Sequence, residues 1–257
     1  MLDLQIAVVT GSSSGIGRAI AIELARAGAS VLVHGHHNAD GAQRVAKEIR
    51  ALGVAAEVVL CDLGDPATHE TLVEQAWAWR GRVHIWVNNA GADVLTGEVA
   101  RWTFEQKLEA LWRVDVVATI RLGRLAGERM KAAGGGVILN MGWDGADRGM
   151  AGASGELFSA AKGAVMAFTR SLAHSLAPEV RVNCLAPGWI RTAWAEEASA
   201  YWDRRARNES LRNRWGTPED VARVARFLAS PEADFITGQV IAINGGFRAG
   251  GEGLGIR

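Results

Sequence analysis

A strand-like run, Ile6-Ala7-Val8-Val9, opens into Thr10-Gly11-Ser12-Ser13-Ser14-Gly15-Ile16-Gly17, and Ala19, Ile20, Ile22, Leu24 and Ala25 follow at helical spacing. Glycines in the order Gly11-x3-Gly15-x-Gly17, set between a strand and a helix, suit a phosphate cradle. They let the turn fold tightly and bring bare backbone N–H groups up to a pyrophosphate. The helix that begins near Ile16 adds the partial positive charge of its N-terminus. Ser12, Ser13 and Ser14 can add hydroxyl donors, so the chemistry predicted here is dinucleotide binding. The second strand-like run continues as Val31-Leu32-Val33-His34-Gly35-His36-His37-Asn38. A carboxylate at its end would favour the ribose 2'-hydroxyl of NAD. None is present, and His36 or His37 can donate to a 2'-phosphate, which predicts NADP(H) over NAD(H). The histidines have no matching acidic or cysteine ligand nearby in sequence, so no metal is expected.

Further along stand Asn88-Asn89-Ala90-Gly91, Pro187-Gly188 and Phe158-Ser-Ala-Ala-Lys162. With the glycine loop, these resemble the short-chain dehydrogenase/reductase family, over a span from Gln5 to about Phe247. The resemblance implies one Rossmann-type domain that binds a nicotinamide dinucleotide at the C-terminal edge of a parallel sheet. It implies cofactor contacts from Gly11, Ser13, Ser14, Gly15, Ile16 and Gly17. Asp62, with Leu63, would meet the adenine amino group, and Asn89, Ala90 and Gly91 would lie against the cofactor. Lys162 would bind the nicotinamide ribose. In Pro187-Gly188-Trp189-Ile190-Arg191-Thr192, the turn beside the nicotinamide, the contacts would be Pro187, Gly188, Ile190 and Thr192, with Thr192 at the carboxamide. Ser14 stands where many NADP-preferring members carry a basic residue, which counts against the 2'-phosphate.

The reacting half of the family site is altered. Phe158 takes the place of the tyrosine that gives or takes the substrate proton, and a phenyl ring has no exchangeable proton. Tyr201 is the sole tyrosine in the chain, so no neighbour can be slid into register. Asn140-Met141-Gly142-Trp143 stands where the family has its carbonyl-polarising serine, with Trp143 in that place, and the gap from Trp143 to Phe158 is longer than usual. Asp115 replaces an asparagine of a water-linked proton path, which leaves Lys162 as the sole survivor of the four. Asp144, beside Trp143, is the first choice as a substitute acid, because a carboxyl against an apolar wall keeps its proton more readily. Asp115 is unsuited if it lies beside Lys162, since a nearby cation favours the carboxylate. Ser154 and Ser159 are candidate substitute hydroxyls, and Glu156 and Asp93 are weaker candidates for the acid. The expected function is hydride transfer to or from an unknown apolar or aromatic small molecule. The alternative is a non-catalytic cofactor-binding protein with a sensing or scaffolding role.

These residues need a sheet to position them. Apolar runs at 5–10, 30–34, 55–60, 83–87, 136–141, 180–185 and 239–243 alternate with helical patterns such as Val45-Ile49-Leu52. That alternation implies an α/β, doubly wound parallel sheet of about seven strands with both faces covered. Residues 1–248 read as this domain, 192–216 as a helical lid on the substrate side, and the glycine-rich 249–257 as a flexible tail. The 28 basic and 28 acidic residues balance, so no general field attracts nucleic acid or an anionic membrane. Arg204-Arg205-Ala206-Arg207 reads as a solvated helix face. No signal peptide and no apolar run of about 18 residues is visible, and Cys61 and Cys184 suit reduced thiols. The expectation is a cytoplasmic protein. The family resemblance adds a homodimer through the helices at 102–130 and after Phe158, or a homotetramer through Asp234–Gly246. Trp143, Trp189, Trp194, Trp202 and Trp215 would gather at the substrate mouth.

Overall fold

Seven short runs rich in valine, isoleucine and leucine form one parallel sheet: β1 (Ile6–Val9), β2 (Ser30–Gly35), β3 (Ala56–Leu60), β4 (Ile85–Asn88), β5 (Gly136–Met141), β6 (Val180–Pro187) and β7 (Val240–Ile243). The computed structural model describes residues 1–196 and 198–248, and it leaves out the side chains of Trp194 and Glu196. The strand order is β3-β2-β1-β4-β5-β6-β7. Every pairing is parallel, from Ala7 beside Val31 on one flank of β1 to Ala7 beside Ile85 on the other. Strand order therefore reverses between β1 and β4, and in such sheets the crevice at that point, outside the carboxyl ends, receives the ligand.

Helices cover both faces. On one side, α1 (Gly15–Arg26), α2 (Ala39–Ala51) and α9 (Pro218–Ala229) pack Ile20, Leu24, Ile49 and Leu228 against Val9, Val31 and Leu139. On the other, α3 (Thr68–Arg80), α5 (Ala118–Ala132) and α6 (Ala153–Leu176) pack Leu72, Leu122, Met130 and Leu176 against Val8, Leu32 and Ile138. Trp86 is fully buried in that second layer.

The expected strands are all present, with shifted ends. β4 starts at Ile85 rather than at 83, and β6 runs on to Pro187 because Pro187 stays in register with Ile243 of β7. The helical region expected at 102–130 is broken into α4 (Phe104–Leu111), a π-helical turn (Trp112–Val117) and α5. The widened turn carries Asp115 into the interior, where it is 2% exposed. Such turns often mark functional positions. Within 192–216 lie α7 (Ala193–Glu196) and α8 (Ala200–Glu209). The segment is pinned near its ends, where Gly216 N–H donates to Trp189 O at 2.8 Å and Arg191 N–H donates to Gly216 O at 2.9 Å. In the basic run, Arg205 pairs with Glu209 and Arg207 with Asp203. The 249–257 tail lies outside the described residues. No described helix is long and apolar enough to cross a membrane.

Candidate active site

The glycine loop sits at the carboxyl end of β1, and its three glycines are there for different reasons. Gly11 has φ +64°, and a side chain on it would meet Ala90 Cα at 2.8 Å. A side chain on Gly17 would strike Gly11 O at 2.3 Å and Asn89 Nδ2 at 2.4 Å. Gly15 has φ +56° and is exposed at the mouth, with Thr192 Cγ2 4.0 Å from where its side chain would begin. The N-cap of α1 is Ser14, which makes no capping hydrogen bond, and the first turn holds no acidic residue. An N-terminus left uncapped at the switch point, beside glycines that a side chain would obstruct, fits a pyrophosphate. Ser12 takes a different part from the one expected. Its hydroxyl donates to Val9 O at 2.7 Å and accepts from His34 N–H at 3.0 Å, so it braces the loop from below.

The sequence reading missed His34. Its Nδ1 accepts from Gly11 N–H at 3.0 Å, and its Nε2 lies 3.2 Å from Cys61 O, where it donates. Burial lowers its pKa to about 4; the hydrogen bond to Cys61 opposes the shift and His36 adds to it. His34 is therefore the neutral prop between the glycine loop and β3. The one available signal was a histidine in the buried stretch of an otherwise apolar strand. The His36 and His37 rings lie against each other, tilted by 32° with centroids 3.4 Å apart, and His36 Nε2 stands 3.9 Å from Asp62 Oδ1. These groups share one patch at the ends of β2 and β3. Asp62 is exposed, whereas the side chain of Leu63 is in the core and leaves only its backbone for a ligand.

The asparagines after β4 divide their work. Asn89 Nδ2 donates to Thr10 O at 2.9 Å and Gly11 O at 3.2 Å, and Thr10 Oγ1 accepts from the N–H groups of Asn89 and Ala90. This ties the glycine loop to β4. Asn88 is structural: it accepts from Trp86 Nε1 and donates to Asn140 Oδ1, and Asn140 in turn donates to Thr169.

The reacting half opens as a cavity of about 350 Å³ above the ends of β5 and β6. Trp143, Phe158, Trp189 and Trp202 supply aromatic walls, and Lys162, Ser154 and Thr192 supply polar atoms. Trp143 and Phe158 meet edge to face with centroids 6.5 Å apart. The Trp143 ring rests on Gly145, where a side chain would lie 2.3 Å from its Cζ2. Trp189 contacts both Trp202 and Trp215. Trp215 itself is buried behind this layer rather than at the mouth, and the side chain of Trp194 lies outside the described residues.

Lys162 is 8% exposed. Its Nζ lies 2.7 Å from Asp115 Oδ2 and donates to Met141 O at 3.1 Å. Asp115 Oδ1 accepts from Ala92 N–H at 2.8 Å, so the carboxylate also fixes the loop after Gly91.

The substitute acids expected from sequence do not reach the cavity wall. Asp144 is buried, but its Oδ2 accepts from Arg148 Nη2 at 2.7 Å and from Asn244 Nδ2 at 2.9 Å. It ties the loop after β5 to the turn after β7 and does not line the cavity. Asp93 caps its own turn at Leu95 and Thr96, and Glu156 is exposed. Of the two serines, Ser154 lines the cavity, while Ser159 Oγ is buried with no partner among the described residues. Cys184 is buried, and burial raises its thiol to about 11. Among the described residues, no three histidine, cysteine or acidic side chains come together as a metal site.

Comparisons with known proteins agree with this geometry. A family model described as "Enoyl-(Acyl carrier protein) reductase" matches residues 11–248. Dehydrogenase/reductase SDR family member 4 of Sus scrofa is 33% identical over 251 residues, covering 95% of this chain and 88% of that protein. A 7 alpha-hydroxysteroid dehydrogenase complexed with NADH and 7-oxo glycochenodeoxycholic acid superposes with a TM-score of 0.86 at 32% identity, covering 96% of this chain and 95% of the other. A short-chain dehydrogenase from Burkholderia cenocepacia in complex with NADP superposes with a TM-score of 0.86 at 33% identity, covering 95% of this chain and 98% of the other. By sequence, fold and the architecture of the cradle, the chain belongs to the short-chain dehydrogenase/reductase family.

Proposed function

We propose that the protein is a nicotinamide-dependent oxidoreductase whose hydride chemistry runs without the family's tyrosine and serine, on an apolar or aromatic small molecule. The observation that carries this reading is the uncapped N-terminus of α1, framed by Gly11, Gly15 and Gly17 at the edge that also holds Lys162 and the aromatic cavity. Ser13, Ser14, Gly15 and Ile16 would hold the pyrophosphate, and Asp62 with the Leu63 backbone would meet the adenine. Asn89, Ala90 and Gly91 would flank the cofactor, Lys162 would take the ribose hydroxyls, and Pro187, Gly188, Ile190 and Thr192 would frame the nicotinamide. When bound, the nicotinamide supplies or accepts a hydride. The open volume beside Lys162 supports turnover over a role limited to holding the cofactor.

The solved relatives include one with NADH and one with NADP, and the preference here follows from the end of β2. With no carboxylate there, and with His36 and His37 exposed beside Asp62, the patch favours a 2'-phosphate. Titration calorimetry is expected to show tighter binding of NADPH than of NADH, and His36→Asp should reverse the order. Equal affinities in both proteins would refute the assignment.

The general test is a melting curve. Cofactor at about 100 times its Kd adds roughly 2.7 kcal/mol to stability, which is a few degrees for a domain of this size. A curve unmoved by millimolar NADPH and NADH would remove the basis of the proposal. The homodimer suggested by the family resemblance is supported by Trp112, Trp102 and Phe104, which stand exposed on and beside α4. Light scattering would report a monomer if that face has another purpose.

A further inference from the structure

We infer, resting on the cofactor-binding reading above, that the cavity takes a cationic substrate, an iminium ion bearing apolar or aromatic groups, rather than a carbonyl compound. Three changes converge on this. A ketone accepting hydride develops negative charge on oxygen and needs a donor there, and Phe158 has no proton to give. Trp143 puts an indole where a hydroxyl would polarise that oxygen. Asp115 places a carboxylate 2.7 Å from Lys162, so the ion pair carries no net charge where a lysine facing an asparagine would carry one positive charge.

Each change that disfavours an oxyanion favours a cation. Phe158, Trp143, Trp189 and Trp202 all line one cavity, and aromatic rings attract organic cations away from water. Trp189 and Trp202 already take one cation: the Arg205 guanidinium, which does not line the cavity, sits 5.6 Å and 5.3 Å from their ring centroids. Among the described residues no carboxylate lines the cavity, which suits a substrate whose charge is spread over a planar C=N unit better than a hydrated ammonium group. The chemistry balances without a proton. The iminium carbon gains a hydride from a reduced nicotinamide, the C=N π pair becomes the nitrogen lone pair, and the products are a neutral amine and the oxidised nicotinamide.

The test separates binding from turnover. Protein saturated with NADPH is titrated with N,N-dimethyl-1,2,3,4-tetrahydroisoquinolinium, an unreducible cation, and with neutral N-acetyl-1,2,3,4-tetrahydroisoquinoline. The cation should bind roughly tenfold tighter. Asp115→Asn should erase that margin, and Phe158→Leu, which keeps the apolar volume and removes the ring, should reduce it. In turnover, N-methyl-3,4-dihydroisoquinolinium should oxidise NADPH about 10²-fold faster than 2-tetralone, as expected where the general acid for a ketone is missing. Its solvent deuterium isotope effect should be near one. If the neutral analogue binds as well as the cation, or 2-tetralone is reduced as fast as the iminium, the inference is wrong. A melting shift with NADPH in the same sample shows that the cofactor reading survives that result. Absence of the shift brings down the cofactor reading and the inference together.

Discussion

Asp115 Oδ2 and Lys162 Nζ lie 2.7 Å apart with both side chains withdrawn from solvent, at 2% and 11% exposure. The pair joins the π-helical turn before α5 to α6, and through Ala92 N–H it also fixes the loop after β4. Two opposite charges in so dry a place are mutually dependent. Removing one leaves the other buried and uncompensated, at a cost of about 3–5 kcal/mol.

Lys162→Met should therefore destabilise the protein by about that amount in urea denaturation. Adding Asp115→Asn to it should recover much of the loss, since the second change removes the stranded charge and keeps an acceptor for Ala92 N–H. The two effects should be strongly non-additive, by 1 kcal/mol or more. Additive effects would mean that the pair is not coupled in solution.

His34 sets the acid limit of the glycine loop. With burial as the main cause, its pKa falls to about 4, while an imidazole in the unfolded chain titrates near 6.5. Below about pH 6.5 the unfolded state takes up a proton that the folded state refuses. The stability that neutral His34 provides is complete above that pH and drains away as pH falls towards 4, by about 3 kcal/mol in all. His34→Gln keeps an acceptor for Gly11 N–H without the titrating ring. It should flatten the unfolding free energy between pH 6.5 and 4 relative to wild type, and equal slopes in the two proteins would refute the assignment.

The scaffold was legible in the sequence because each strand is an almost unbroken apolar run and each helix shows its own period. Among the strands the ends moved, where pairing with a neighbour, as at Pro187 and Ile243, outweighed local pattern, and the helix expected at 102–130 is interrupted by a π-helical turn. The cradle was legible from Gly11, Gly15 and Gly17, since backbone conformation and close approach admit little else there. Asp144 shows where sequence adjacency misleads. It neighbours Trp143, so an apolar setting was a fair expectation, but the partners that hold it are Arg148 and the distant Asn244. His34 was hidden for the same reason: its partners, Gly11 and Cys61, come from two other strand ends. The π-helical turn has no pattern of its own in Trp112-Arg113-Val114-Asp115-Val116-Val117, and the partner that Asp115 meets there, Lys162, is distant in sequence.

Gly17 and Gly145 test the cradle and the cavity separately. A methyl group on Gly17 would meet Gly11 O and Asn89 Nδ2 at under 2.5 Å. Gly17→Ala should cost about 1–3 kcal/mol of stability and abolish the melting shift with NADPH. A methyl group on Gly145 would collide with the Trp143 ring. Gly145→Ala should leave the NADPH shift intact and displace the ring, read as a changed near-ultraviolet circular dichroism band and altered affinity for aromatic ligands. Loss of the NADPH shift in Gly145→Ala would show that the two halves of the site are not independent.

If Trp143 and Phe158 stand in for the family's serine and tyrosine, as proposed above, restoring both should restore carbonyl reduction. Wild-type protein is expected to oxidise NADPH negligibly with simple aldehydes and ketones. Phe158→Tyr supplies a hydroxyl, but Trp143 still packs against that ring, and under the proposed reading it also stands where a hydroxyl would polarise the carbonyl. Trp143→Ser with Phe158→Tyr should therefore exceed the combined effect of the single changes, because donors to one oxygen act together. Even then Lys162 faces Asp115, and its charge does less to ease the tyrosine proton away than an unpaired lysine would. Adding Asp115→Asn should raise the ketone rate again, to ~10²-fold or more above wild type, the scale of a restored general acid. Steady-state kinetics on the single, double and triple variants would settle the order. If the triple variant folds, binds NADPH and still leaves every ketone untouched, the cavity excludes carbonyl substrates by shape and not by chemistry. If the wild type already reduces ketones briskly, a proton donor other than residue 158 serves the site, and Ser154, the hydroxyl that lines the cavity from α6, becomes the first residue to replace.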